Sequence, residues 1–321
     1  MSIEAPSQRF AVIDVGTNAV KILAADVSSD RFDPIHESSV QTRLGAGLYV
    51  GRRLGADAIR LTAETVADCS NEAERLGVVR LRCIATSAAR DAANGKELID
   101  AIKLRTGLET EVLSGEREAE LAFQGVMTDP SLAQHSVIVV DVGGGSTEIV
   151  LGSGSGVECR RSLAMGTVRF AENFKTLDPP GLEALASCQG QVRKLLELEA
   201  VPQFRSVLPS RPSPGPILVA ASGTSTVLAR MSLSSETYDR AILEAVRLSR
   251  DHIESQCRLL WSVPLAERKK IIGLPPNRAD IIPFGAAIIG SILAVFNCQE
   301  LRISTRGLRF ALLKEMAKAA S

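Results

Sequence analysis

The hydrophobic positions fall into short runs split by polar turns, a pattern that alternates strands with amphipathic helices. FAVIDV (residues 10–15) ends in the polar turn GTN, and VKILAAD (20–26) follows at once, so the pair reads as a β-hairpin. VVRLRCIA (78–85) predicts a strand, ELIDAIKL (97–104) an amphipathic helix, and ETEVL (109–113) a short strand. That strand enters the helix 114–126, which Ser114 can cap and whose positive end suits Glu116. After Asp129 and Pro130 the pattern restarts: SVIVVDV (136–142), the turn GGGS, and the returning strand TEIVLG (147–152). Further on, PILVAAS predicts a strand, GTSTVLARM a helix, 236–260 a long helical stretch, and 281–296 a buried helix. The tail 305–320 reads as a final amphipathic helix, while 30–39 and the proline-rich 207–216 read as loops.

The two hairpins set Asp14-Val15-Gly16-Thr17-Asn18 and Asp141-Val142-Gly143-Gly144-Gly145-Ser146 in equivalent places. This weak internal repeat implies a duplicated α/β core, with both turns lining one cleft between the halves. At ~150 residues per domain, 321 residues suit two domains. We place them at 1–127 and 128–304, with the tail helix (about 305–321) packed on the first.

The turn chemistry points to anions. Three consecutive glycines permit backbone angles closed to other residues and let N–H groups approach a ligand closely. Ser146 and Thr147 add hydroxyl donors, and Asp141 and Glu148 supply hard oxygens suited to Mg²⁺. A strand rather than a helix follows the glycines, which excludes the dinucleotide fingerprint. The absence of a following Gly-Lys-Ser or Gly-Lys-Thr excludes a Walker loop. In the first turn, Thr17 and Asn18 are donors and Lys21 adds a positive charge. Arg43, Arg90, Arg169, Arg278 and the run 268–270 stand in polar turns and are candidate phosphate contacts, although a solvated surface explains any one of them as well. The helix N-terminus near Ser87 is a further anion site. Among Glu116, Glu118 and Glu120, spacing alone does not select a base for an attacking water.

Composition narrows the partners. Lysine plus arginine equals aspartate plus glutamate at 37 each, so no global field recruits nucleic acid and any anion site is local. The start MSIEAPSQRF has no export profile and no apolar run approaches the ~18–20 residues of a membrane span, so neither leader nor membrane is expected. Six scattered cysteines, with no Cys-x-x-Cys pair and only three histidines, argue against zinc or a disulfide framework and for a reducing, cytoplasmic setting.

Nine segments in order resemble the exopolyphosphatase/guanosine pentaphosphate phosphohydrolase (Ppx/GppA) family. They are DVGTNAVK, RLGAGL, ATSAARDAAN, SGEREAE, VVDVGGGSTEIV, LAMGTVRF, ASGTSTVLA, RADIIPFGAAI and STRGLRFALL, and they cover nearly the whole chain. The resemblance implies duplicated ribonuclease H-like domains of the actin/Hsp70/sugar kinase superfold, with the active site in the interdomain cleft. It further implies Glu118 as the base activating water, and Asp141 and Glu148 as the acids holding Mg²⁺, directly or through water. Gly143, Gly144, Gly145 and Ser146 match its phosphate loop, and Thr17, Asn18, Lys21, Arg43 and Arg90 its other phosphate contacts. The implied activity is release of terminal orthophosphate from inorganic polyphosphate, with guanosine pentaphosphate as the alternative substrate and a homodimer possible.

Three features depart from the family pattern. At 321 residues there is no room for the helical HD-like domain of longer members, which puts processivity on long chains in question. Phe284 stands where glycine is common, which would reshape the cleft near Arg278, and DVGTNAVK has Thr, Ala and Lys where Ser, Ser and Arg are frequent. An ATP-dependent kinase of the same superfold is disfavoured by SGEREAE, and a non-catalytic guanosine polyphosphate or polyphosphate sensor by the retention of all three acids.

Overall fold

The structure is a computed structural model that describes residues 7–28, 31–207 and 215–320. Two mixed sheets organise it. The first has the order β3-β2-β1-β4-β5, from β1 (Gln8–Val15), β2 (Val20–Ser28), β3 (Arg31–Val40), β4 (Arg80–Ala85) and β5 (Thr110–Val112). The second has the order β10-β11-β9-β6-β7-β8, from β6 (Val137–Val142), β7 (Thr147–Ser153), β8 (Gly156–Leu163), β9 (Ile217–Ala220), β10 (Arg247–Ser249) and β11 (Glu300–Ile303). Each begins with a three-strand antiparallel meander whose first strand is flanked by parallel partners, β1 by β4 and β6 by β9. The sheets therefore repeat one topology, the duplicated α/β arrangement expected from the two hairpins.

Burial on both faces explains why β1 runs apolar from Phe10 to Ile13 rather than alternating. Ala11, Ile13 and Val15 pack with the helices Ala56–Arg75 and Gly95–Thr106, while Phe10 and Val12 face the closing helix Leu308–Lys318. That last helix inserts Phe310, Leu312, Leu313 and Met316 into the first half, after the chain has completed the second sheet. Helix Gly115–Val126 is wedged between the sheets. Its Leu121 joins the cluster of the first, and its Ala119, Phe123 and Val126 join Val137, Val139 and Val150 of the second. Anchored on both sides and capped by Ser114, which accepts from the Arg117 N–H, this helix fixes Glu118 at the junction. Among the described residues no helix is long and apolar enough to cross a membrane.

Two readings change. The stretch 30–39, expected as a loop, falls largely within the edge strand β3; its pairing with β2 shifts register between Ala24 and Ala25, absorbing Ile35, and Pro34 is tolerated at a sheet edge. The stretch 236–260 is not one helix but Arg240–Ala245, β10 and Arg250–Ser262, because Asp239 and Ser249 each cap a separate start. Of the proline-rich loop, 208–214 lie outside the described residues.

Candidate active site

Cross-strand register makes the two turns superimposable in sequence terms: Asp14 pairs with Lys21 as Asp141 pairs with Glu148. Each turn is closed by the same bond, Gly16 N–H to Ala19 O and Gly143 N–H to Ser146 O, both 3.0 Å. Their carbonyls are pulled outward. Thr17 O accepts from Gly45 and Asn18 O from Arg43, while Gly143 O accepts from Thr167 and Gly144 O from Val168 and Arg169. Arg169 Nε also donates to Gly145 O at 2.7 Å. The N–H groups of Thr17, Asn18 and Ala19, and those of Gly144, Gly145 and Ser146, bond to no acceptor among the described residues. Both sets belong to residues lining one cavity, and runs of free N–H groups of this kind make anion nests.

The reason for the glycines differs from the expected one. None of Gly143, Gly144 and Gly145 has the positive φ that favours glycine. What demands them is proximity. A Cβ on Gly144 would lie 2.8 Å from Thr17 Cβ, and one on Gly145 would lie 1.9 Å from Tyr49 Oη and 2.2 Å from Ser87 Oγ. The second loop is pressed against the first half, and only glycine fits there.

The cavity between the turns is narrow, about 90 Å³, and is lined by Asp14, Thr17, Asn18, Lys21, Glu118, Asp141, Gly143, Gly144, Gly145, Ser146 and Arg278. It adjoins a larger one of about 400 Å³ that shares Asp14, Lys21, Asp141 and Arg278 with it and adds Arg230 and Arg309. Burial pushes Glu118 up to about 7, against the pull of Arg90, whose Nη1 sits 3.0 Å from Oε2; Asp141 and Asp14 push it further up. Burial likewise raises Asp141 to about 6, opposed chiefly by Lys21. Lys21 itself is lowered by burial, with Asp14 pulling the other way. Arg278 is also lowered by burial and by Arg230, and neither arginine has a carboxylate partner among the described residues. The site thus crowds carboxylates in the narrow cavity beside Arg278 and Arg230, guanidinium groups without a carboxylate partner among the described residues. Arg230 donates to Ser235 O and Glu236 O, and Arg309 is held by Glu37.

Most of the sequence-predicted residues meet here, but three do not line the narrow cavity. Glu148 is 1% exposed and sealed behind the loop, accepting from Ser162 Oγ at 2.7 Å; burial raises it well above the usual carboxylate range, and Glu118 and Asp141 add to the rise. Arg90 stands behind Glu118, donating to it and to Leu113 O at 2.8 Å. Arg43 is held by Asp280 at 2.9 Å and by Asn277 O, in a neighbouring cavity on the far side of Thr17 and Asn18. Phe284 lines that neighbouring cavity, stacked edge-on against Trp261 and Phe174, and does not line either cavity that holds Arg278. Of the other candidate cations, Arg268 is buried on Asp178 and Ala279 O, a structural role. The residue sequence reasoning passed over is Asp14, buried in the cleft with Oδ1 lacking a partner among the described residues; its equivalence to Asp141 in the repeat was the available signal.

Paired anion nests, a buried carboxylate and arginines without carboxylate partners between duplicated α/β sheets suit an enzyme that acts on phosphate. The chain belongs to the Ppx/GppA phosphatase family, whose model matches residues 22–320. It is 32% identical over 296 residues to exopolyphosphatase 2 of Mycobacterium tuberculosis, covering 88% of each chain. The Ppx/GppA family member of Aquifex aeolicus is similar in structure, with a TM-score of 0.80 and 28% identity over 98% of this chain and 99% of that one. An exopolyphosphatase from Cytophaga hutchinsonii superimposes with a TM-score of 0.86 at 26% identity, over 97% and 98%.

Proposed function

We propose that the chain is an exopolyphosphatase that releases terminal orthophosphate from inorganic polyphosphate, with Glu118 as the base. One observation carries this reading. Of the three neighbouring glutamates, only Glu118 lines the cavity between the anion nests, and its raised proton affinity suits a base working near neutral pH. Glu116 lines a separate outer cavity, and Glu120 is engaged by Arg117 and Gln124. The functional unit comprises the halves 1–127 and 128–304, with the closing helix returning to the first.

In this scheme the terminal phosphoryl group rests on the free N–H groups of the two turns, and the remaining chain extends past Arg278 and Arg230 into the larger cavity. The oxygen of a water beside Glu118 attacks the phosphorus in line. The bridging P–O bond breaks with its electron pair leaving on the shortened chain, and Glu118 takes the water's proton. Positioning and charge neutralisation supply most of the acceleration in such transfers.

The donor set fits Mg²⁺, since Asp14 and Asp141 line the cleft and the buried Oδ1 of Asp14 has no partner among the described residues. These two would hold the ion, with Glu148 buried behind the loop on Ser162 rather than facing it. When bound, Mg²⁺ supplies charge that offsets both the clustered carboxylates and the substrate oxygens. This differs from the pair read from sequence, Asp141 with Glu148, because Glu148 does not open onto the cleft.

The test compares phosphate release from long polyphosphate, short polyphosphate, guanosine pentaphosphate and ATP with Mg²⁺. Faster release from either polyphosphate supports the reading; exclusive release from guanosine pentaphosphate overturns the substrate, and release from none overturns the enzyme.

A further inference from the structure

The face of Glu118 turned away from the cleft is closed by Arg90, and beyond Arg90 lies a separate cavity of about 440 Å³. Its wall carries four arginines, Arg90, Arg160, Arg161 and Arg169, against two carboxylates, Asp91 and Glu116. Those carboxylates do not cancel the arginines. Asp91 is shared by Arg169 at 2.5 Å, Ser87 Oγ at 2.9 Å and Arg90 at 3.8 Å, Arg90 also being held by Glu118, while Glu116 only approaches Arg160, at 3.9 Å. Arg161 has no carboxylate partner among the described residues and spends its Nε on Glu199 O. Ser146, the last residue of the glycine turn, lines both this cavity and the narrow one.

We infer that this cavity is a second anion site that receives the orthophosphate product. The inference rests on the hydrolytic reading above for its role, though not for its chemistry. In-line displacement sets the attacking water and the departing chain on opposite sides of the phosphorus. With the water at Glu118, the shortened chain lies toward Arg278 and Arg230. The freed orthophosphate is then enclosed between that chain and Glu118, still against Ser146. Its way out past the retained chain is blocked, whereas the way past Arg90 leads to a cavity with an excess of guanidinium groups. Arginine holds phosphate oxygens through charge-assisted, multi-donor hydrogen bonds, so the cavity suits a small tetrahedral dianion. A product exit separate from the chain-binding side lets the enzyme cleave again without releasing its substrate.

The experiment is an equilibrium titration of the full chain with inorganic phosphate, with no polyphosphate present. It compares wild type, Arg160→Gln/Arg161→Gln, and the charge-retaining Arg160→Lys/Arg161→Lys. Neither residue lines the narrow cavity, so the cleft is left intact. The expected result is that the double glutamine variant loses one class of phosphate site, weakened by about tenfold or more, while the lysine variant keeps it. Matching melting temperatures across the three exclude a folding defect. Identical isotherms for wild type and the glutamine variant would overturn the assignment, even if polyphosphate is hydrolysed normally. Loss of the site in a protein that cleaves no polyphosphate leaves the anion site standing and removes the hydrolytic reading instead.

Discussion

Replacing Glu118 with glutamine should make the metal-free protein more stable at alkaline pH while disabling it. Glu118 is 7% exposed, shares its cavity with Asp14 and Asp141, and has its proton affinity raised from 4.5 to about 7, by burial first and then by those carboxylates. A carboxyl whose folded pKa lies above its unfolded value contributes fully when protonated, below about 4.5, and that contribution is lost as pH rises through about 7. At ~1.4 kcal/mol per tenfold in proton affinity, the ionised form costs the folded state about 3 kcal/mol at pH 8 or above. Glutamine keeps the neutral form at every pH and still accepts from Arg90. Denaturant unfolding in the presence of a chelator should therefore show the two proteins within about 1 kcal/mol at pH 4–5 and the variant ahead by about 2–3 kcal/mol at pH 8. Added Mg²⁺ should narrow the gap by stabilising the wild type more. A variant equally or less stable than wild type at pH 8 would refute the view of Glu118 as one of a strained carboxylate group.

Two further substitutions test the cleft. Gly145→Ala should lose about 1–3 kcal/mol of stability and most turnover, because its Cβ would meet Tyr49 Oη and Ser87 Oγ within 2.2 Å. Gly51→Ala, with nothing within 4 Å, serves as the control, and equal melting temperatures and rates for the two would exclude the packing argument. Arg278→Ala should raise the KM for polyphosphate by about tenfold or more while kcat changes less, since it removes one charge-assisted contact to the chain rather than to the reacting group. An unchanged KM would remove Arg278 from the substrate path.

Much of this arrangement is legible in the sequence because it is local. The hairpins of β1–β2 and β6–β7 announce themselves through buried runs joined by short polar turns, and the helix carrying Glu118 through its Ser114 cap. Tertiary placement is less visible. Arg43, Arg90 and Glu148 sit in motif positions, yet long-range partners claim each one: Asp280, Glu118 and Ser162. The glycine turn was read for backbone freedom, whereas its need comes from Thr17, Ser87 and Tyr49, far away in sequence. Strand β3 escaped notice because an edge strand with one proline and no fully buried position lacks the periodic signal of a core strand. Asp14 needed the repeat to be pressed one step further, from matching turns to matching carboxylates.

The most direct test of the central claim measures orthophosphate release from polyphosphate with Mg²⁺ for wild type, Glu118→Gln and Glu116→Gln, alongside polyphosphate binding by each. The account predicts that Glu118→Gln loses about 10²–10⁴-fold in kcat with binding retained, and that Glu116→Gln stays within a few-fold of wild type. Near-normal turnover by Glu118→Gln would contradict it, and the base would have to be sought elsewhere in the cleft.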